Sequence, residues 1–156
     1  MQGKTYLIET FQYNDYANKL ALDKIRELPD QAESVRLFSH LINSMNKWLA
    51  RIEHTPGYAE MDWWEPVYGI NELESKWDAC LHRWLEFVAS KSEDELNEEV
   101  EFIGFDGSDF AAVIMDIALQ LNYHSIHHRA QIQMLIRGQG IEPSFVDYIA
   151  TKYRRL

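Results

Sequence analysis

Asn122-Tyr123-His124-Ser125-Ile126-His127-His128-Arg129-Ala130-Gln131-Ile132 is the stretch on which the fold and the chemistry both turn. It contains no glycine or proline and sits inside a run of helical periodicity from about Phe110 to Arg137, which Gly138 and Gly140 close. Residues four apart on a helix lie one above the other, so His124 and His128 can aim their imidazoles at one point. Val113, Ile117, Leu121, Ile132 and Leu135 fall within about a quarter-turn of His124, which puts both histidines in the middle of the inward stripe. Gln120 and Gln131 flank them on the same side. Polar groups in such a position need partners, because burying them unpaired is costly. Two explanations satisfy that need: a hydrogen-bonded polar layer, or a divalent metal held by two neutral imidazoles, a recurrent pair for zinc and nickel. No acid follows His124 directly, so the glutamate-bearing pattern of metalloproteases is absent.

Working outward, the periodicity predicts three further long helices. The first covers about Thr5 to Glu27, ended by Leu28-Pro29-Asp30, because proline disfavours helix at the residue before it. The second covers Gln31 to Glu53, with Phe38, Leu41, Ile42, Met45, Trp48, Leu49 and Ile52 as its stripe and His54-Thr55-Pro56-Gly57 as its stop. A long connection leads to a third helix over Ile70 to Ser90. Glu93 to Glu101 reads as a solvated acidic connection. Val100 to Phe105 suits a brief strand, Asp106 to Asp109 supply a helix N-cap, and Ser144 to Tyr153 suits a short terminal helix. Four helices of this length are the material of a four-helix bundle. The short first connection predicts that helices one and two are antiparallel neighbours. The long second and third connections can cross the bundle, so simple up-down-up-down order is not required.

The 156 residues fit one domain over positions 1–156, with 46% hydrophobic and 26% charged residues. A formal charge of −10 opposes nucleic acid and anionic membrane surfaces. The single cysteine, Cys80, excludes an internal disulfide and reads as a buried residue of the third helix. The start, MQGKTYLIETF, offers no apolar core for a signal peptide, so the expected location is cytoplasmic.

A third metal ligand is less plain. His40 lies roughly 100° or more from the centre of the second helix's stripe and on periodicity alone suits a half-exposed site. His54 reads as a C-terminal capping group and His82 as a polar-face residue. His127 projects about 60° from His124, as a partner of the ligands before a ligand itself. Arg129 reads either as a holder of an anionic group or as a surface cation. Glu53 and Asp116 lie on ligand-bearing helices, but nothing brings them to the site.

The chain resembles the DinB-like family (damage-inducible, YfiT-type) of metal-dependent helical bundles along nearly its whole length. Asn14-Asp15-Tyr16-Ala17-Asn18, Phe38-Ser39-His40-Leu41-Ile42 with Trp48 to Arg51, the segment His124 to Ile132, and Asp147-Tyr148 carry the resemblance. Ala130 stands where members usually have glycine, and Gln120 where many have a further histidine. The resemblance implies an all-α, crossed four-helix bundle and a homodimer. It also implies His40, His124 and His128 as the metal ligands, to which the spacing adds zinc or nickel as the ion and Gln131, His127 and Gln120 as the residues around it. Three histidines leave a coordination position open, as catalytic sites do. The expected activity is then a thiol-dependent transferase using a low-molecular-weight thiol, or a hydrolase, acting on a small molecule. The alternative is a non-catalytic metal-binding or partner-binding bundle in a stress response.

Overall fold

Each long apolar stripe becomes a helix, and the ends fall where the breaking residues stand. The computed structural model describes residues 3–155; Met1, Gln2 and Leu156 of the expected domain lie outside the described residues. α1 covers Gly3–Arg26, α2 Ala32–Ile52, α3 Leu73–Ser90, α4 Glu93–Leu96 and α5 Ile114–Gly138. Two strands, β1 (Glu99–Ile103) and β2 (Asp109–Val113), pair antiparallel with Val100 opposite Ala112. α2 ends in a left-handed turn at His54 (φ 50°), where the His54 and Thr55 amides donate to the Arg51 and Ala50 carbonyls. His54 thus caps through its backbone, at the position expected.

α1 and α2 each pack between α3 and α5. Contacts fix the directions. Asn14 meets Asn122 and Asn18 meets Ser125, so α1 and α5 run parallel. Phe38 meets Trp77 and Met45 meets Trp84, so α2 and α3 also run parallel. Phe11 stacks on Trp84 while Arg26 pairs with Glu74, so α1 opposes α3. The order is therefore up-down-down-up. α1 and α2 are antiparallel but lie on a diagonal, which corrects the expectation that a short connection makes them neighbours. The polar faces decide this pairing, since the asparagines of α1 find their partners only on α5.

The core is filled by Trp77, Trp84, Phe11, Phe38, Leu7, Ile42 and Leu73, all essentially inaccessible. Burying each such side chain contributes about 1.5–3 kcal/mol. Both deep indoles are satisfied: Trp77 donates to Asp15 Oδ1 at 3.0 Å and Trp84 to the Met45 carbonyl at 2.9 Å.

Four local expectations are corrected. Phe110 to Val113 is strand rather than the first turn of the last helix, because it pairs with β1. Gly104 to Ser108 accordingly makes the hairpin turn, with Gly107 at φ 82°, while Asp109 already belongs to β2, and α5 starts instead from the Ile114 amide donating to the Glu98 carbonyl. The acidic stretch contains α4, since Ser92 and Glu95 form a reciprocal capping box. The terminal segment makes only a 3-10 turn, Tyr148–Thr151.

Candidate metal centre

α2 is covered on both sides, and this brings its third histidine into the site. One side packs on α3 and α5. The other is overlaid by residues 54–69, which attach to a row of polar side chains on the helix. His40 Nδ1 lies 2.8 Å from the Trp63 carbonyl. Asn43 donates to the Pro66 carbonyl at 3.1 Å, and Ser39 Oγ accepts from the Tyr68 amide at 3.0 Å. Lys47 donates to the Met61 carbonyl. The Trp64 indole lies flat on the His40 ring at 3.8 Å, and the Arg36 guanidinium covers that indole at 4.3 Å. His40 is consequently 7% exposed.

Across the α2–α5 seam, His124 Nε2 stands 3.1 Å from His40 Nε2 and 2.9 Å from His128 Nε2. A ligand atom from each ring lies within 4.8 Å of one from both others. His128 is buried, and its Nδ1 lies 2.6 Å from Gln131 Oε1. The two carbonyl oxygens dictate the tautomers. His40 and His128 donate from Nδ1, which leaves both Nε2 atoms as bare lone pairs directed at His124 Nε2. That nitrogen carries at most one proton in exchange. In the neutral triad at least one contact is therefore lone pair against lone pair, which a shared cation relieves.

Tetrahedral coordination at zinc–nitrogen bonds of about 2.0–2.1 Å sets nitrogens about 3.3 Å apart, so small ring movements suffice to seat an ion. The donor set fits zinc or nickel. Electrostatics agree, because metal ligation needs neutral imidazoles. Burial lowers the pKa of all three. For His124, aided by His128, His40 and His127, the value falls to about 4. His40 is lowered by burial against the Trp63 carbonyl's opposing effect, and His128 by burial against that of Gln131.

The other expected residues divide. Gln131 Oε1 meets His128 Nδ1. His127 lies beside them, its Nε2 3.5 Å from Gln131 Nε2. Gln120 faces a chamber of about 200 Å³ lined also by His40, Ser44, Trp48, Trp63, Leu121 and His124. On the other side His128, Gln131, Trp64, Arg36 and Glu33 line an open groove of about 570 Å³. Glu53 pairs with Arg83, His82 with Glu86, and Asp116 is exposed, so none of them joins the site. Cys80 is buried away from it, 2% exposed.

Arg129 is neither an anion holder nor a surface cation. It is 2% exposed and donates to Asn14 Oδ1 and Asn18 Oδ1, both at 2.8 Å, and to the Tyr13 hydroxyl at 3.1 Å. Together with Asn122 and Ser125 it occupies the deepest stripe of α5. The two histidines are correspondingly displaced from the centre of the stripe towards α2.

Fold and site together define a crossed helical bundle that holds three converging imidazoles between two of its helices. The model of the DinB family matches residues 1–155, and the chain belongs to that family. Neither a curated protein nor a solved structure matches it. Among the described residues, no helix is long and apolar enough to cross a membrane.

Proposed function

We propose that this protein is a metal-dependent enzyme in which His40, His124 and His128 hold a zinc or nickel ion and a small-molecule substrate meets it at an open position. The observation that carries this reading is the convergence of three Nε2 atoms, with the Nδ1 atoms of His40 and His128 each facing a carbonyl oxygen. A divalent ion held there supplies Lewis acidity, lowering the pKa of a water or thiol that reaches it. The chain's own residues set the conditions. Trp63 and Gln131 orient the two imidazoles, Trp64 shields one side from water, and the chamber and groove admit reactants from opposite sides.

Neither cavity offers a free carboxylate: Glu33 in the groove is engaged by Arg36 at 2.7 and 2.8 Å. A reaction that needs a protein general base is therefore poorly served. This favours transfer of a low-molecular-weight thiol, whose sulfur is itself the nucleophile, over hydrolysis. The same observation suits a non-catalytic metal-binding bundle, which is the second reading. A cytoplasmic homodimer completes the proposal.

Elemental analysis after metal loading should give close to a single equivalent, lost in His124→Ala. Less than about a tenth of an equivalent refutes the metal site. Conjugation of an electrophile by a panel of low-molecular-weight thiols, abolished by chelator, supports the enzyme. A loaded protein inert to every thiol supports the second reading.

A further inference from the structure

The face of α2 that carries His40 also carries Ser44, Lys47 and Arg51, at steps of about one helical turn. All are at least nine-tenths buried. Ser44 Oγ and Arg51 Nε have no hydrogen-bond partner among the described residues. Ser44 lines the chamber next to His40 and His124. A buried hydroxyl left unpaired beside a cavity is a donor in want of an acceptor.

The charges around the chamber have one sign. Lys47 Nζ lies 4.7 Å from the Trp63 ring centroid, and the Arg51 guanidinium 4.7 Å from that of Trp48 and 4.9 Å from that of Trp63. These two indoles are chamber walls. Among the described residues, neither cation has a carboxylate within ion-pairing distance. Lys47 is met by the Ala59 and Met61 carbonyls, and Arg51 by the Ile103 carbonyl at 3.2 Å. Glu60 and Asp62 are the acids that act on Lys47 from further off. Asp62 is itself occupied by the Trp64 and Glu65 amides. No acid lines the chamber, although the chain as a whole carries −10. A low-dielectric pocket backed by two unneutralised cations attracts an anion.

Building on the metal reading above, we propose that this chamber is the subsite for a small carboxylate-bearing substrate. Its carboxylate would be held against an ion bound by His40, His124 and His128 and would accept a hydrogen bond from Ser44 Oγ. Lys47 and Arg51 favour its charge through the indoles, and Gln120 contacts its far end. At about 30 Å³ per water, the volume of about 200 Å³ holds roughly six or seven water-sized groups, room enough for a short-chain acid.

The test uses protein loaded with cobalt(II), with acetate as the probe and neutral acetamide as its isostere. The readouts are the cobalt d–d bands and the fluorescence of the chamber tryptophans. Acetate should shift both saturably and acetamide should shift neither. Ser44→Ala should weaken acetate about tenfold or more, the cost of a hydrogen bond to a charged group, and Ser44→Val, which removes the donor and adds a methyl group in its place, should weaken it at least as much. Lys47→Met should weaken acetate while leaving the cobalt bands of the acetate-free protein in place. Cobalt bands that acetate does not move, equal binding of acetamide, or unchanged affinity in Ser44→Ala overturns the subsite and leaves the metal reading standing. Absence of tetrahedral cobalt bands in the wild type overturns both.

Discussion

Replacing Gln131 by leucine isolates the tautomer argument from the ligands themselves. Gln131 lies three residues from His128 on α5, and its Oε1 accepts from Nδ1 at 2.6 Å. Leucine preserves helix propensity and approximate volume but offers no acceptor. The neutral His128 ring is then free to carry its proton on Nε2, the atom that must be bare to bind metal. Removing such an outer partner ordinarily costs 10- to 100-fold in metal affinity. Because Gln131 is exposed, water supplies part of the lost acceptor, and the loss should lie at the lower end. That is about tenfold, or about 1.4 kcal/mol. Gln131→Glu should bind at least as tightly as wild type, since a carboxylate is the stronger acceptor. His127→Ala should change affinity by no more than about twofold, because among the described residues its only polar contact is a long one to Gln131. The assay is competition for zinc against a chromophoric chelator at neutral pH, with circular dichroism to confirm the helices. If Gln131→Leu stays within about threefold of wild type while His128→Ala abolishes binding, the tautomer reasoning is wrong.

Acid should destabilise the metal-free protein through the same imidazoles. Their folded pKa values lie below the ordinary 6.5, so the unfolded chain binds more protons, and stability is full above about 6.5 and lost as pH falls towards 4. The urea midpoint of chelator-treated wild type should fall over that window by more than that of His124→Gln; equal declines refute the assignment. Cys80, whose thiol burial pushes up to about 12, should resist a thiol reagent at pH 8 and react once in denaturant. Rapid labelling of native protein contradicts its burial. Arg129→Met removes the donor to two buried amide oxygens and should cost about 2–4 kcal/mol in urea unfolding, with little change in metal affinity. A loss below about 1 kcal/mol would mean that the asparagines find other partners.

The helices and the His124–His128 pair are legible in the sequence, because both rest on local spacing. His40 is not legible in that way. Hydrophobic periodicity detects one buried face, whereas α2 is buried on two. Its second face is covered by a connection attached through Ser39, His40, Asn43 and Lys47, all polar, so the helix still reads as one-sided. Only the likeness to a family brought His40 together with His124 and His128. Arg129 misled for a related reason: arginine is rarely buried without an acid, and here two asparagine oxygens and a tyrosine hydroxyl from α1 take that role. The diagonal arrangement of α1 and α2 was hidden too, because loop length limits reach and not the choice of neighbour.

The layer over α2 has a consequence for how this kind of protein diversifies. α2 and α5 supply the imidazoles, but residues 54–69 supply the Trp63 carbonyl that orients His40, one wall of the chamber and the Trp64 cover. A change in that single surface segment can therefore reshape what reaches the three imidazoles while leaving in place the helices that carry them. Access to the histidine cluster and integrity of the scaffold are thereby written largely in separate parts of the chain.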